Sequence, residues 1–396
     1  MKGFSLNEDS KSKQTLSELR DILQIAEDSP YTSKEAKKII ESLRLGVPPK
    51  RGALYLTVGR KSLIEKVSQD FDRVANKGSR FLFLKGKFGA GKTHLLRVLQ
   101  EYAHQKSFTS SLIELSIREC PLYDLGLVYR KIVQNLQITG FSNGSALESI
   151  LSNWAEQIRV ISNFDRDNAI RQLSNLDKNF CAALSVYYSN KLSENPYKCI
   201  KVLEWMLGEK LTKNELRELG IKENISDHNA LSMLGNFSQM LKYIGQHGIA
   251  IFFDEADRTI SFESNTNKLT AIRNLNILMQ SSKSFPHSYF IYSTPPELFI
   301  QKDFMMNVHV DKRNYIEVKE LEPEHLEKLA IKIRDIHLCA YNWENISRVR
   351  NSKLMEVVAI ILRGGVLPVR SFVKNIIEVM DYAQQNPKLA LNEIKQ

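Results

Sequence analysis

The sequence predicts an α/β protein: a parallel sheet flanked by helices, with a helical insertion and a C-terminal helical lid. Three observations carry this prediction. Short apolar runs alternate with stretches of helical periodicity, a glycine-rich turn joins the first run to the helix behind it, and from Pro323 onward the pattern is helical alone. Ser10 to Glu27 and Ser33 to Leu45 read as amphipathic helices, the second ended by Val47-Pro48-Pro49 because proline bars helix continuation. Tyr55 to Arg60 leads into a helix over Lys61 to Val74. Phe81 to Leu84 reads as a buried strand, and Leu95, Leu96, Val98, Leu99 and Tyr102 repeat with helical spacing between His94 and Ala103. Ser111 to Ile117 predicts a strand and Tyr123 to Leu136 a helix. Phe141 to Gly220 is polar and mostly helical, with turn signals at Asn143-Gly144 and Asn195-Pro196, and reads as an insertion. Asn229 to Gly245 is a helix feeding the apolar run Ile249 to Phe253. Ser288 to Thr294, stopped by Pro295-Pro296, is another strand and Asn314 to Val318 a fifth. The domain division that follows is an N-terminal helical segment over 1–50, a core over 51–320 with its insertion at about 140–225, and a lid over 321–396.

The phosphate chemistry is written at the glycine-rich turn. Gly86-Lys87-Phe88-Gly89-Ala90-Gly91-Lys92-Thr93 is a complete phosphate-binding loop, followed by His94 at the helix start. Its glycines let backbone N–H groups close around a β-phosphate, where a Cβ would hold the chain away. Lys92 is a point charge for the β- and γ-phosphates, and the Thr93 hydroxyl is a Mg²⁺ ligand. Gly86, Phe88, Gly89, Ala90, Gly91, Lys92, Thr93 and His94 are therefore the expected nucleotide contacts. The run Ile249 to Phe253 ends in Asp254-Glu255. Asp254 is expected to hold the Mg²⁺ shell and Glu255 to orient the water that attacks the γ-phosphate. An isolated Asp-Glu pair after a strand would otherwise be a helix cap; downstream of a full phosphate loop the catalytic reading prevails. Ser293 and Thr294 end a strand, where Thr294 is expected to contact the attacking water or γ-phosphate. Arg370 begins a helix behind Gly364-Gly365 and Pro368 and is expected to reach the phosphates; an arginine supplied in trans is one of Arg258, Arg273 or Arg313.

Composition narrows the class. No apolar run approaches the roughly 20 residues of a membrane span, and Met1 to Gln14 lacks a signal-peptide core. Cys120, Cys181, Cys199 and Cys339 are scattered, so reduced thiols in a cytoplasmic protein are expected rather than a zinc or disulfide framework. The 396 residues carry a formal charge of +10. Between Tyr31 and Lys106 stand 17 Lys/Arg against 6 Asp/Glu, so this excess of 11 leaves the rest at about −1. Lys34, Lys37, Lys38, Arg44, Lys50, Arg51, Arg60, Lys61, Lys66, Arg73, Lys77 and Arg80 are more cations than a nucleotide needs. They fit a surface for nucleic acid, or a solvated basic face with no partner.

At this point the chain resembles a known family. Gly59-Arg60, the phosphate loop, Asp254-Glu255, Ser293/Thr294 and Arg370 follow the box II, Walker A, Walker B, sensor 1 and sensor 2 order of AAA+ ATPases. Ile39 to Pro49, Trp205-Met206-Leu207-Gly208-Glu209 and Gly364 to Arg370 resemble the P-loop ATPases of bacteriophage-exclusion (BREX) systems, C/D type. The resemblance, over roughly residues 30–385, implies ATP with Mg²⁺, an AAA+-like fold and a helicase or nuclease partner in a defence cluster; a homo-oligomer is expected, with DNA contacted through the basic residues within 34–80, the insertion or a partner. Adenine over guanine rests on the resemblance, since no Asn-Lys-x-Asp motif is visible. About 26 residues follow Arg370, too few for a winged-helix domain. Asp254-Glu255-Ala256-Asp257 also spells the DEAD-box signature, but the 139 residues after Asp257 show no second RecA-like domain. The alternative from another class is a regulatory switch that binds ATP and signals by oligomerisation with slow turnover.

Overall fold

The computed structural model describes residues 31–138, 146–161, 175–193, 196–254, 264–281, 285–343, 349–365 and 367–386. The sequence-predicted helix Ser10 to Glu27, the turn Asn143-Gly144, Glu255 and Arg258 lie outside the described residues. The contacts divide the chain into two units. One takes the described parts of Met1–Gln69, Lys87–Glu101 and Val318–Gln396, and the other those of Asp70–Gly86 and Tyr102–Glu317.

The second unit holds the sheet. Its strands are β1 (Ser79–Lys85), β2 (Phe108–Glu114), β3 (Leu136–Gln137), β4 (Gly248–Asp254), β5 (Ser288–Thr294) and β6 (Tyr315–Glu317). They lie in the order β3-β2-β4-β5-β1-β6, parallel throughout except for the β2–β3 edge. Parallel strands are covered on both faces, and their sequences read as continuous apolar runs for that reason. Phe81, Phe83, Ile249, Ile251, Phe253, Phe290 and Tyr292 enter one core with the insertion helices Ala146–Ile161, Lys178–Leu192 and Pro196–Met206, which supply Trp154, Phe180, Tyr187 and Trp205. Leu82, Leu84, Ala250, Phe252, Tyr289 and Ile291, of the opposite parity, are equally buried. There Phe71 meets Tyr102, Phe108 and Tyr289 edge-on or tilted, with ring centroids 5.0–5.7 Å apart.

Three sequence expectations are corrected here. The second strand begins at Phe108, three residues before the expected start, and stops at Glu114 rather than Ile117. Its polar stretch sits in the sheet because the hydroxyls are satisfied: Ser111 donates to Ile132 O at 2.8 Å and Ser110 pairs with His104 at 2.7 Å. The two-residue β3 has too little length to show any period. The helix expected over Asn229 to Gly245 ends at Leu241 and tightens into a 3₁₀ turn, Lys242–Ile244, closed by Gly245 at φ 75°.

The first unit is helical around its own core. Ser33–Arg44 begins with a capping box, in which Thr32 and Glu35 satisfy each other's backbone N–H. It buries Ala36, Ile39, Ile40 and Leu43 with residues from Pro323–Tyr341, Asn351–Leu362 and Val369–Gln385. Arg44 reinforces this packing through a two-pronged pair to Asp381 at 2.8 and 2.9 Å. His337, fully buried, meets Asp381 at 3.0 Å and accepts from Trp343 Nε1 at 3.1 Å, which leaves Nε2 as the protonated nitrogen.

Candidate nucleotide-binding site

The phosphate loop leaves the C-terminal end of β1 and enters the helix Lys92–Gln105. Its first residue belongs to the sheet unit, where Gly86 N donates to Thr294 O at 3.1 Å. That bond ties the loop's start to the end of β5. On the next strand Asp254 is 6 % exposed, and Ser293 Oγ donates to its Oδ1 at 3.1 Å. Gly86, Ser293, Thr294 and Asp254 thus gather at one end of the sheet, as parallel registers Lys85↔Thr294 and Phe253↔Tyr292 require. A carboxylate held by a hydroxyl on one oxygen keeps lone pairs for a metal-bound water, so Asp254 fits Mg²⁺. Thr294 is fully buried, its hydroxyl donating to Pro295 O at 3.4 Å; its neighbour Ser293 is the one that reaches Asp254.

The rest of the loop belongs to the helical unit. Gly89 and Gly91 have φ of 81° and 90°, backbone that side chains rarely adopt, and both turn the chain as a phosphate cradle requires. A Cβ on Gly89 would lie 3.1 Å from Pro368 Cβ, whereas one on Gly91 would meet nothing within 4 Å. Lys92 Nζ reaches back to Lys87 O at 3.1 Å, Ala90 is buried, Thr93 is exposed, and the Phe88 ring is 89 % exposed. The loop is steadied by residues that sequence reasoning did not single out for this task. Arg60 donates to Ala90 O at 3.0 Å and to Lys319 O at 2.6 Å. Glu101 accepts the N–H groups of Ala53 and Leu54 at 3.2 and 3.0 Å. Burial raises its carboxyl pKa against those two bonds. His94 Nε2 donates to Thr57 Oγ1 at 3.2 Å, the Thr57 hydroxyl being spent on Ala53 O. Burial, with a smaller push from Arg60, lowers the His94 pKa to about 4.

Arg370 stands in the first turn of Val369–Gln385 and is exposed. Its side chain crosses the backbone of Gly46, where a Cβ would lie 2.9 Å from its Nε. Pro368, two residues earlier, comes close to the loop at Gly89. Arg313 is held by Asp311 at 2.9 Å, while Arg273 is exposed on the helix Asn265–Ser281. Of the twelve cations that looked unassigned, Arg44, Arg51, Arg60, Arg73 and Arg80 have partners inside the fold, to Asp381, Glu35, backbone carbonyls and Asp70. Lys34, Lys37, Lys38, Lys50, Lys61, Lys66 and Lys77 are exposed. Trp205 and Gly208 in the family-like stretch are structural: Trp205 Nε1 donates to Glu223 O at 3.0 Å, and Arg130 donates to Gly208 O.

Among the described residues no helix is long and apolar enough to cross a membrane. No curated protein and no solved structure matches the chain. A family model, BREX system ATP-binding protein BrxC/D, matches residues 32–396, and the protein belongs to this family of ATP-binding proteins of phage defence.

Proposed function

We propose that the protein is a Mg²⁺-dependent ATPase that assembles on or remodels DNA or a DNA-bound partner complex. The observation that carries hydrolysis is the buried Asp254, fixed by Ser293 at the end of β4. In this reading Gly86 to Thr93 wrap the phosphates, Lys92 neutralises the β- and γ-phosphates, and Thr93 and Asp254 hold Mg²⁺. The metal, when bound, offsets charge on the transferring phosphoryl group. Glu255 orients the attacking water on sequence grounds, Thr294 stands behind Gly86, and Arg370 senses the nucleotide from the C-terminal helices. The exposed lysines between 34 and 77 support DNA as the polyanion. A homo-oligomer working with a helicase or nuclease of the same defence cluster, in the cytoplasm, completes the proposal.

A second reading, a switch that signals by ATP-dependent oligomerisation with slow turnover, is favoured by the packing of Pro368 on Gly89. That contact gives the C-terminal helices a direct sense of loop occupancy. Steady-state ATP hydrolysis with and without single- and double-stranded DNA separates the two, with Glu255→Gln and Asp254→Asn as controls. DNA stimulation abolished in both variants supports the DNA-linked ATPase. One low rate under every condition, with ATP-dependent assembly, selects the switch.

A further inference from the structure

The sheet has a second polar opening, at the end of β1 away from Gly86. A cleft of about 360 Å³ lies where β1 and β5 begin, wholly within the sheet unit. Lys77 comes to it from the turn before β1, His287 from the residue before β5, and Lys242 and Tyr243 from the 3₁₀ turn; Asn175 and Gln239 supply amides. No carboxylate lines it among the described residues. Two ammonium groups, an imidazole, two amides and a phenol make a lining rich in donors for an oxyanion.

The backbone is bent to deliver two of these groups. Lys77 and His287 have φ of 68° and 63°, and among the described residues only Ser107 and Asn342 are other non-glycine residues in this region. A side chain in left-handed backbone is disfavoured, and such positions concentrate at functional sites. The backbone of His287 is locked on both sides, its N–H donating to Gly78 O, next to Lys77, at 2.8 Å and its carbonyl accepting from Ile249 N at 2.9 Å. Gly248 is forced to be glycine beside them, since a Cβ there would sit 2.0 Å from His287 O. The imidazole Nδ1–H donates to Val74 O at 3.2 Å, which anchors the ring at the cleft's edge. Burial and the charges of Lys242 and Lys77 lower its pKa. An anion between these groups reverses that bias, so that His287 takes up a proton and becomes a third cationic donor.

We propose that this cleft binds a phosphoryl group through Lys77, Lys242 and His287, at the end of the sheet where β1 and β5 begin. A phosphate of a nucleic-acid backbone and a free phosphate share this chemistry. Only the nucleic-acid source rests on the DNA reading above.

The test uses the full chain saturated with ADP, which occupies the phosphate loop, and compares wild type with Lys77→Gln/Lys242→Gln, in which the stems remain. Binding of a labelled single-stranded 20-mer is followed by anisotropy across salt concentrations, and inorganic pyrophosphate is titrated by calorimetry. If the occupant is nucleic acid, the variant binds the 20-mer about 10-fold more weakly, and the salt slope is shallower by about 1.4, two contacts at roughly 0.7 each. Loss of pyrophosphate binding with an unchanged 20-mer assigns the cleft to free phosphate. Equal behaviour of variant and wild type towards both probes, absent binding included, overturns the site. DNA-free ATP hydrolysis is the same in both proteins, so failure of the ATPase reading shows in the wild type alone.

Discussion

Ser293 Oγ donates to Asp254 Oδ1 at 3.1 Å across the seam between two neighbouring parallel strands, with both residues nearly excluded from water. The bond fixes which carboxylate oxygen stays available and where it points. Groups that orient a metal's ligands typically matter by 10- to 100-fold in affinity. Ser293→Ala is therefore expected to raise the Mg²⁺ concentration for half-maximal ATP hydrolysis roughly 10-fold while ATP binding without metal stays put. Thr294→Ala, which removes a hydroxyl that donates to Pro295 O, moves that midpoint little.

Gly89 and Gly91 share a left-handed backbone but not their surroundings. Alanine at either position costs about 1–2 kcal/mol for the conformation alone. At Gly89 the new methyl also presses on Pro368. Chemical denaturation without nucleotide is expected to show Gly89→Ala less stable than Gly91→Ala; equal losses would contradict the Pro368 contact.

Arg60 serves two carbonyls with one guanidinium. Charge-assisted hydrogen bonds are worth about 1.5–3 kcal/mol each, and the exposed bond to Lys319 O counts for less, so Arg60→Ala is expected to lower the unfolding free energy by about 2–4 kcal/mol. Arg60→Lys recovers less than half of this, because an ammonium lacks the planar fork. Urea titrations of the three proteins decide it.

His94 makes stability depend on pH in a known direction. Its pKa is about 4 in the folded chain and 6.5 in the unfolded one. Between those values the unfolded chain binds the extra proton, so stability falls as pH drops from about 6.5 towards 4. A shift of this size corresponds to roughly 1–3 kcal/mol, the lower figure allowing for partial exposure. His94→Asn, compared by urea denaturation at pH 7 and 4.5, is expected to flatten that part of the profile.

The sheet was legible because its strands are buried on both faces and therefore apolar throughout; β5 was bounded correctly at both ends by Ser288 and the Pro295-Pro296 stop. The start of β2 was not, since Phe108-Thr109-Ser110-Ser111 carries hydroxyls that only the folded neighbours satisfy. The turn at Gly89 and Gly91 was readable from the glycines, because the constraint is on the backbone itself. The partners of the loop were hidden: Pro368 lies 279 positions from Gly89, and no local pattern links them. Surface charge misled in part. Arg44 and Arg80 looked like spare cations until Asp381 and Asp70 appeared beside them.

The helical unit also sets a timetable. Arg44 and Asp381 are separated by 337 positions, and Ser33 donates to Ala340 O across 307. At roughly 5–20 residues per second a ribosome needs about 17–67 seconds to cover the longer gap. Until Pro323–Tyr341 and the helices after it are made, the Ile39, Ile40 and Leu43 stripe has little of its native core beside it beyond the nearby Tyr55, Leu56 and Val58. The strand Tyr315–Glu317 of the sheet unit ends just before Pro323–Tyr341 begins, so the sheet's strands are made before those helices. Since Gly89 leans on Pro368, a finished phosphate loop is among the last things the nascent chain acquires.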